Sequence, residues 1–345
     1  MEELPRVDPD DDPYLALRTA LGVMLCLVLA EPLGITQPMF PVVLSMSIMS
    51  NQRGAINPRS FAAPIAMPVM GFVFSWIAAV TVNQPLAFTA VHCLFSVAGL
   101  ALMLFRGSRG GLMFTVFPLM MAISALYSDY VLIMMRDSLV MGGVVLFIAV
   151  LGLNLLFPPT TKKVHVERVM PLRSTQPMRH LAIRAAVYIP AMIWLFSTGD
   201  MNLMAGVMML IFVCGQPRRG LQLNQVVDRG GGTLVGGALA VLALYLYHLI
   251  PEVWILILLC GIITYYLIDK MTTGRARPLI YQYTCSTALV MILQATQGGR
   301  DAFEVVFQRI VLTVIALLAA MIVIAILEAL FLDPDEELPS PLVPA

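Results

Sequence analysis

Charge is scarce in this chain. Lys, Arg, Asp and Glu supply 12% of its 345 residues, against about 25% in an ordinary soluble domain, so the usual water-facing surface cannot be built from it. Nucleotide-hydrolysing chemistry has no Walker-type phosphate loop to work from, and no HExxH or EF-hand pattern occurs. A GxSxG nucleophile turn is missing too. No convergent catalytic set is visible, and the chain is not expected to be an enzyme. Its five cysteines, Cys26, Cys93, Cys214, Cys260 and Cys285, each sit in an apolar run without CxxC spacing. A disulfide framework or thiolate metal site is therefore not expected, nor is any cofactor. The start, Met1 to Pro13, is acidic where a cleavable leader would be basic, so the first apolar run is expected to stay as a helix. Nucleic acid is not an expected partner.

What the chain has is apolar length: 59% of it is hydrophobic, with mean hydropathy +0.86. A bilayer core of about 30 Å needs about 20 apolar residues per helix. Apolar runs cover roughly 15–34, 37–50, 60–82, 86–105, 111–128 and 139–157 in the first half. In the second half they cover roughly 181–198, 201–214, 230–249, 252–269, 278–293 and 308–332. The reading is an all-α, polytopic transmembrane bundle of about twelve crossings. Residues 1–14 and 333–345 are expected to be disordered acidic tails, since neither has an apolar face to bury. The basic segment 158–180 is read as a linker between the repeats 15–157 and 181–332. The 24 methionines, spread along the runs, suit adaptable packing better than a soft-metal path.

With the N-terminus inside and the runs alternating, 18 Lys and Arg fall on the cytoplasmic side, among them Arg18, Arg184, Arg229 and Arg277. Only Arg136, Arg300 and Arg309 fall outside. That asymmetry follows the positive-inside rule and places both termini in the cytoplasm.

Shifting the sequence by 166 residues lays Leu15, Ala16, Arg18 and Ala20 on Leu181, Ala182, Arg184 and Ala186. Arg53-Gly54 falls on Arg219-Gly220, Gly71 on Gly237, and Arg109 on Arg275. Six crossings per half make the repeats parallel, and the second run of each half is short. Pro38 and Pro41 interrupt it in the first half; Gly215, Gln216 and Pro217 end it in the second. Such broken segments point to a transport site, or else to a tilted packing helix.

The stretch Gly215-Gln216-Pro217-Arg218-Arg219-Gly220, followed by Arg229-Gly230-Gly231-Gly232-Thr233-Leu234-Val235-Gly236-Gly237, resembles the fusaric acid resistance and aromatic acid exporter superfamily of bacterial inner-membrane proteins. Arg229, Gly232, Thr233 and Gly236 take the places of its R-x-x-G-T-x-x-G helix start. In the first half Ala63 stands in place of the arginine, so two equivalent sites are not expected. Larger members carry a sizeable cytosolic domain that this chain lacks, making it a compact branch. The resemblance implies efflux of small organic anions, aromatic carboxylates among them, and a periplasmic adaptor of the membrane-fusion type. The energy source expected is the proton gradient, and a homo-oligomer is an open partner.

Physically, Gly232, Gly236 and Gly237 form a small face that lets a neighbouring helix approach. Thr233 can hydrogen-bond across that contact or within its helix. Arg229, expected just before the helix, either meets an anionic substrate or anchors to lipid headgroups. Intramembrane ionisable groups mark function by default. Glu31, beside Pro32, is the expected proton carrier if the membrane half-buries it. Asp200 lies between the first two runs of the second half. Asp129, Arg136 and Asp137 are read as an outer loop. His92, deepest of the four histidines, either relays protons or packs through a hydrogen bond. A passive anion channel and a non-transporting scaffold are the rival readings.

Overall fold

Backbone amides in hydrocarbon have no water to bond, so an apolar run there must satisfy them within itself, as a helix. The computed structural model describes residues 12–51, 61–108, 110–161, 171–172, 174, 176–201, 203–297 and 302–332, and all regular structure among them is helical. The first half gives α1 (Leu15–Ala30), α2 (Met39–Ser50), α3 (Ala62–Thr81), α4 (Pro85–Arg106), α5 (Gly110–Tyr127) and α6 (Asp129–Leu156). The second gives α7 (Pro177–Thr198), α8 (Met204–Cys214), α9 (Arg219–Leu249), α10 (Val253–Thr273), α11 (Pro278–Gln297) and α12 (Ala302–Phe331). Most of the expected tails and much of the linker, with Arg53, Arg59, Arg109 and Arg300, lie outside the described residues.

Eight of these helices are long and apolar enough to cross a membrane: α3, α4, α5, α6, α7, α9, α10 and α12. The chain is a multi-pass membrane protein. Helix α1 is shorter, with 16 residues. Helices α2 and α8 have only 12 and 11, about 18 Å or less at 1.5 Å per residue. Helix α11 has the length, 20 residues, but its Gln and Thr content sets it apart. Outward faces are apolar: Ile65, Val69, Phe72 and Trp76 form an exposed stripe on α3, at the spacing of one helix face, suited to acyl chains.

Three helices start well before their apolar runs. Helix α6 begins ten residues early and takes in Asp129, Arg136 and Asp137, which correct the expected loop to a helical turn. Arg136 pairs with Asp137 at 2.8 Å and lies 5.5 Å from the Phe72 ring centroid. Helix α9 begins at Arg219, so Arg229 sits inside the helix rather than before it. An apolar run measures hydrocarbon thickness, and a helix continues past it wherever water or ion pairing accommodates its polar side chains. Helix ends are set by glycine where the chain must turn: Gly107 and Gly199 cap α4 and α7 at φ 58° and 63°, a region glycine enters without steric cost.

The chain forms two compact units, each drawing on both halves of the sequence. One comprises Met1–Ser75, Tyr130–Glu167 and Asp228–Val311. In it α1, α2, α11 and α10 close a ring of neighbours. Gly22 lies against Ser45 and Met49, and Gly261 against Met24. The other comprises Trp76–Asp129, Arg168–Val227 and Leu312–Ala345. There α7, α8, α5 and α4, the repeat counterparts of the same four helices, close a ring of their own. Gly99 and Gly111 bring the backbones of α4 and α5 into contact.

Candidate functional site

The most polar structure in the first unit gathers along α11. This helix carries Gln282, Thr284, Ser286, Thr287, Gln294 and Thr296, too many hydrogen-bonding groups for a helix meant only to face lipid. Its neighbours take up these groups. Gln282 Nε2 donates to Ser50 Oγ of α2 at 3.3 Å, and Gln294 Nε2 contacts Met39 Sδ at 3.6 Å. The pairing runs antiparallel, so the whole of α2 lies along the stretch from Gln282 to Gln294. Short α2 is thus explained as one wall of this seam. Pro41 lies in its first turn, where a missing N–H costs nothing. Gly142 of α6 seats against the Pro41 ring, and Pro38 is the cap residue of α2.

An arginine stands at each end of the seam. At one end the Arg229 guanidinium lies 4.0 Å from the centroid of the Tyr283 ring. Such stacking contributes about 0.5–2 kcal/mol depending on desolvation. Asp228, one residue earlier, is buried and approaches Arg277 at 3.5 Å, so neighbouring charges on α9 point to different partners. At the other end Arg309 of α12 donates from Nε to Gln294 Oε1 at 2.8 Å. From Tyr283 to Gln294 is about 17 Å of helix rise.

The glycine motif fixes this geometry. Gly232 lies against Tyr283 and Thr284 of α11, and Gly236 against the Thr284 carbonyl. Gly237 faces Val306 and Ile310 of α12. Thr233 is 3% exposed on the same stretch. The missing side chains let α9 approach closely enough to set Arg229 on the Tyr283 ring, as packing in lipid requires.

The remaining expected residues lie elsewhere. Glu31 ends α1 and is not covered by neighbouring helices. Asp200 is exposed between α7 and α8. His92 belongs to the second unit and is 1% exposed. Its Nδ1 lies 2.7 Å from the Phe88 carbonyl, and Phe88 and Phe196 pack on the ring. Nearby Ser96 donates to Met192 Sδ at 3.3 Å, and Tyr188 is fully buried. The Gln216-Pro217 break is buried as well. The Gln216 carbonyl there accepts from Arg184 Nη2 and Gln222 Nε2, each at 3.4 Å.

Arg309 enters the sequence reading only as an orientation signal, and the buried Arg18 and Arg184 only as orientation and repeat markers. Each falls inside an apolar run, and that signal was sufficient to mark them.

Comparison with curated proteins and with solved structures gives no match. Residues 188–323, from the middle of α7 into α12, match the model of a family described as fusaric acid resistance protein-like. That segment contains α11, the glycine motif and both arginines of the seam, and the family is one of membrane transport and resistance. Over residues 188–323, less than half of the chain, the sequence is thus similar to the fusaric acid resistance protein-like family.

Proposed function

We propose that the chain is a secondary exporter of small organic anions, aromatic carboxylates foremost, driven by the proton gradient. It works in a bacterial inner membrane with both termini in the cytoplasm, and passes substrate to a periplasmic adaptor of the membrane-fusion type. One observation carries the reading: a polar helix with an arginine at either end, inside a bundle otherwise faced with apolar side chains. An anion crossing hydrocarbon needs positive charge to replace its hydration, and two guanidiniums about 17 Å apart along α11 offer sequential stations. A planar guanidinium suits a carboxylate bidentately, and Tyr283 adds an aromatic face. The family match supports transport in general; substrate, coupling and adaptor belong to this proposal.

The test is flux of fusaric acid and 4-hydroxybenzoate in proteoliposomes, with and without an imposed pH gradient. Arg229→Gln and Arg309→Gln are each expected to lower gradient-driven flux about 10- to 100-fold, the worth of one charge-assisted hydrogen bond. Arg229→Lys should recover part of it. Flux in both Gln variants equal to that of the unaltered chain removes the seam from the pathway. Flux indifferent to the pH gradient turns the exporter into a passive anion channel.

A further inference from the structure

In the second unit an open groove of about 630 Å³ runs between the start of α9 and the last turns of α12. Arg219, Gly220 and Leu223 of α9 form one wall, and Ile322, Ala325 and Ala329 of α12 line the other. The three α12 residues stand at the spacing of one helix face and cover about 10 Å of its length. Apart from Arg219, every lining residue is apolar or glycine. Gly220 keeps the groove wide, since a side-chain carbon placed there would meet nothing within 4 Å.

The free charge at this groove has one sign. Arg219 lines it, Arg218 directly precedes α9, and both are exposed. Neither has an ion-pair partner among the described residues. The acid on the opposite helix, Glu328, is already taken by Arg184 of α7 at 2.8 Å, so its charge does not oppose an anion. Ala329 lies two residues before the end of α12 at Phe331. The groove therefore offers hydrocarbon along its length and positive charge at the end where α12 leaves the apolar core.

We propose that this groove is a binding site for an anionic phospholipid, with an acyl chain between α9 and α12 and the phosphate on Arg219 and Arg218. The inference is independent of the export reading above. A tail that leaves bulk lipid for the groove gains no hydrophobic free energy, because both surroundings are hydrocarbon. It gains packing against fixed walls, and phospholipids with the same tails gain that alike. Choice among them falls to the headgroup. A guanidinium donates two parallel bonds to phosphate oxygens. A choline headgroup sets its own cation against the arginines, whereas a glycerol headgroup leaves the phosphate charge to them. Each Lys or Arg at a membrane surface favours anionic lipid by about fivefold, so two set a preference of about 25-fold. A small aromatic carboxylate satisfies Arg219 but leaves the apolar length from Ala325 to Ile322 unfilled. A phospholipid matches both parts.

The test is native mass spectrometry of the full chain in detergent, titrated with an equal mixture of phosphatidylglycerol and phosphatidylcholine carrying the same acyl chains. The first lipid retained is expected to be phosphatidylglycerol by about 25-fold. Arg219→Gln should lower that preference about fivefold, and Arg218→Gln with Arg219→Gln should abolish it while leaving phosphatidylcholine retention unchanged. Gly220→Leu, which enters open space and so keeps the helices packed, should remove the first retained lipid of either kind, as should Ala329→Leu. Lys270→Gln, a cation that does not line the groove, should change nothing. A preference that survives loss of both arginines, or falls equally in Lys270→Gln, overturns the proposal. Retention untouched by both groove-filling variants overturns it too. Displacement of phosphatidylglycerol by 4-hydroxybenzoate would make the groove a substrate entrance instead.

Discussion

Replacing Asp12 by Ala is expected to cost about 3–5 kcal/mol of stability, the penalty for stranding one partner of a buried ion pair. Arg18 and Asp12 are both shut off from solvent, and Arg18 then keeps only its bond to the Phe157 carbonyl. Its Nε has no hydrogen-bond partner among the described residues, so nothing nearby can take over the charge. Thermal unfolding in detergent, read as aggregation onset at fixed heating rate, is the measurement. Asp137→Ala supplies the contrast. Its pair with Arg136 is partly open, with side chains 32% and 56% exposed, and such pairs contribute about 0–1 kcal/mol. The double replacement Asp12→Ala with Arg18→Met should regain most of the loss, since removing both charges ends the desolvation penalty. If Asp12→Ala melts with Asp137→Ala, the buried pair is not holding α1 to the end of α6.

Gly236→Val is expected to be the most damaging exchange in the glycine motif. A methyl carbon at this position would stand 2.7 Å from the Thr284 carbonyl oxygen and 3.1 Å from Thr287 Cβ. Backbone cannot swing aside as a flexible side chain can. Helices α9 and α11 must therefore part, at a cost at or above the roughly 1–3 kcal/mol of ordinary overpacking. Parting them also lifts Arg229 from the Tyr283 ring, so stability and flux should fall together. Gly231→Ala, whose added carbon meets nothing within 4 Å, should leave both intact. A Gly236→Val protein that retains normal melting and normal flux would mean that α9 does not depend on this contact.

Helix positions were legible because hydrocarbon leaves the backbone no alternative to the helix, and every apolar run became one. Helix ends were less so. The polar segment before Gly230 continues α9 by a further eleven residues, because ion pairing and water suit charged side chains on a helix outside the apolar core. The GxxxG spacing announced a close neighbour without saying which; Tyr283 and Thr284 of α11 lie some fifty residues onward, and no local pattern encodes that meeting. That Glu31 stands clear of neighbouring helices was not legible either, because packing there depends on which helices surround α1. Arg309 was visible as a charge inside a run, and only counting it as a topology marker hid its part in the seam.

The interleaved rings set an order on assembly. Helix α1 reaches its partner α10 only after some 240 more residues have been made, on the order of ten to fifty seconds at 5–20 residues per second. During that wait the Met24 flank of α1, which will seat against Gly261, faces lipid or a borrowed neighbour. By contrast α4 meets α5 at once. Severing the gene between its halves would thus leave two translation products, each lacking half of both rings, and activity could return only if the two were co-expressed and found each other in the bilayer.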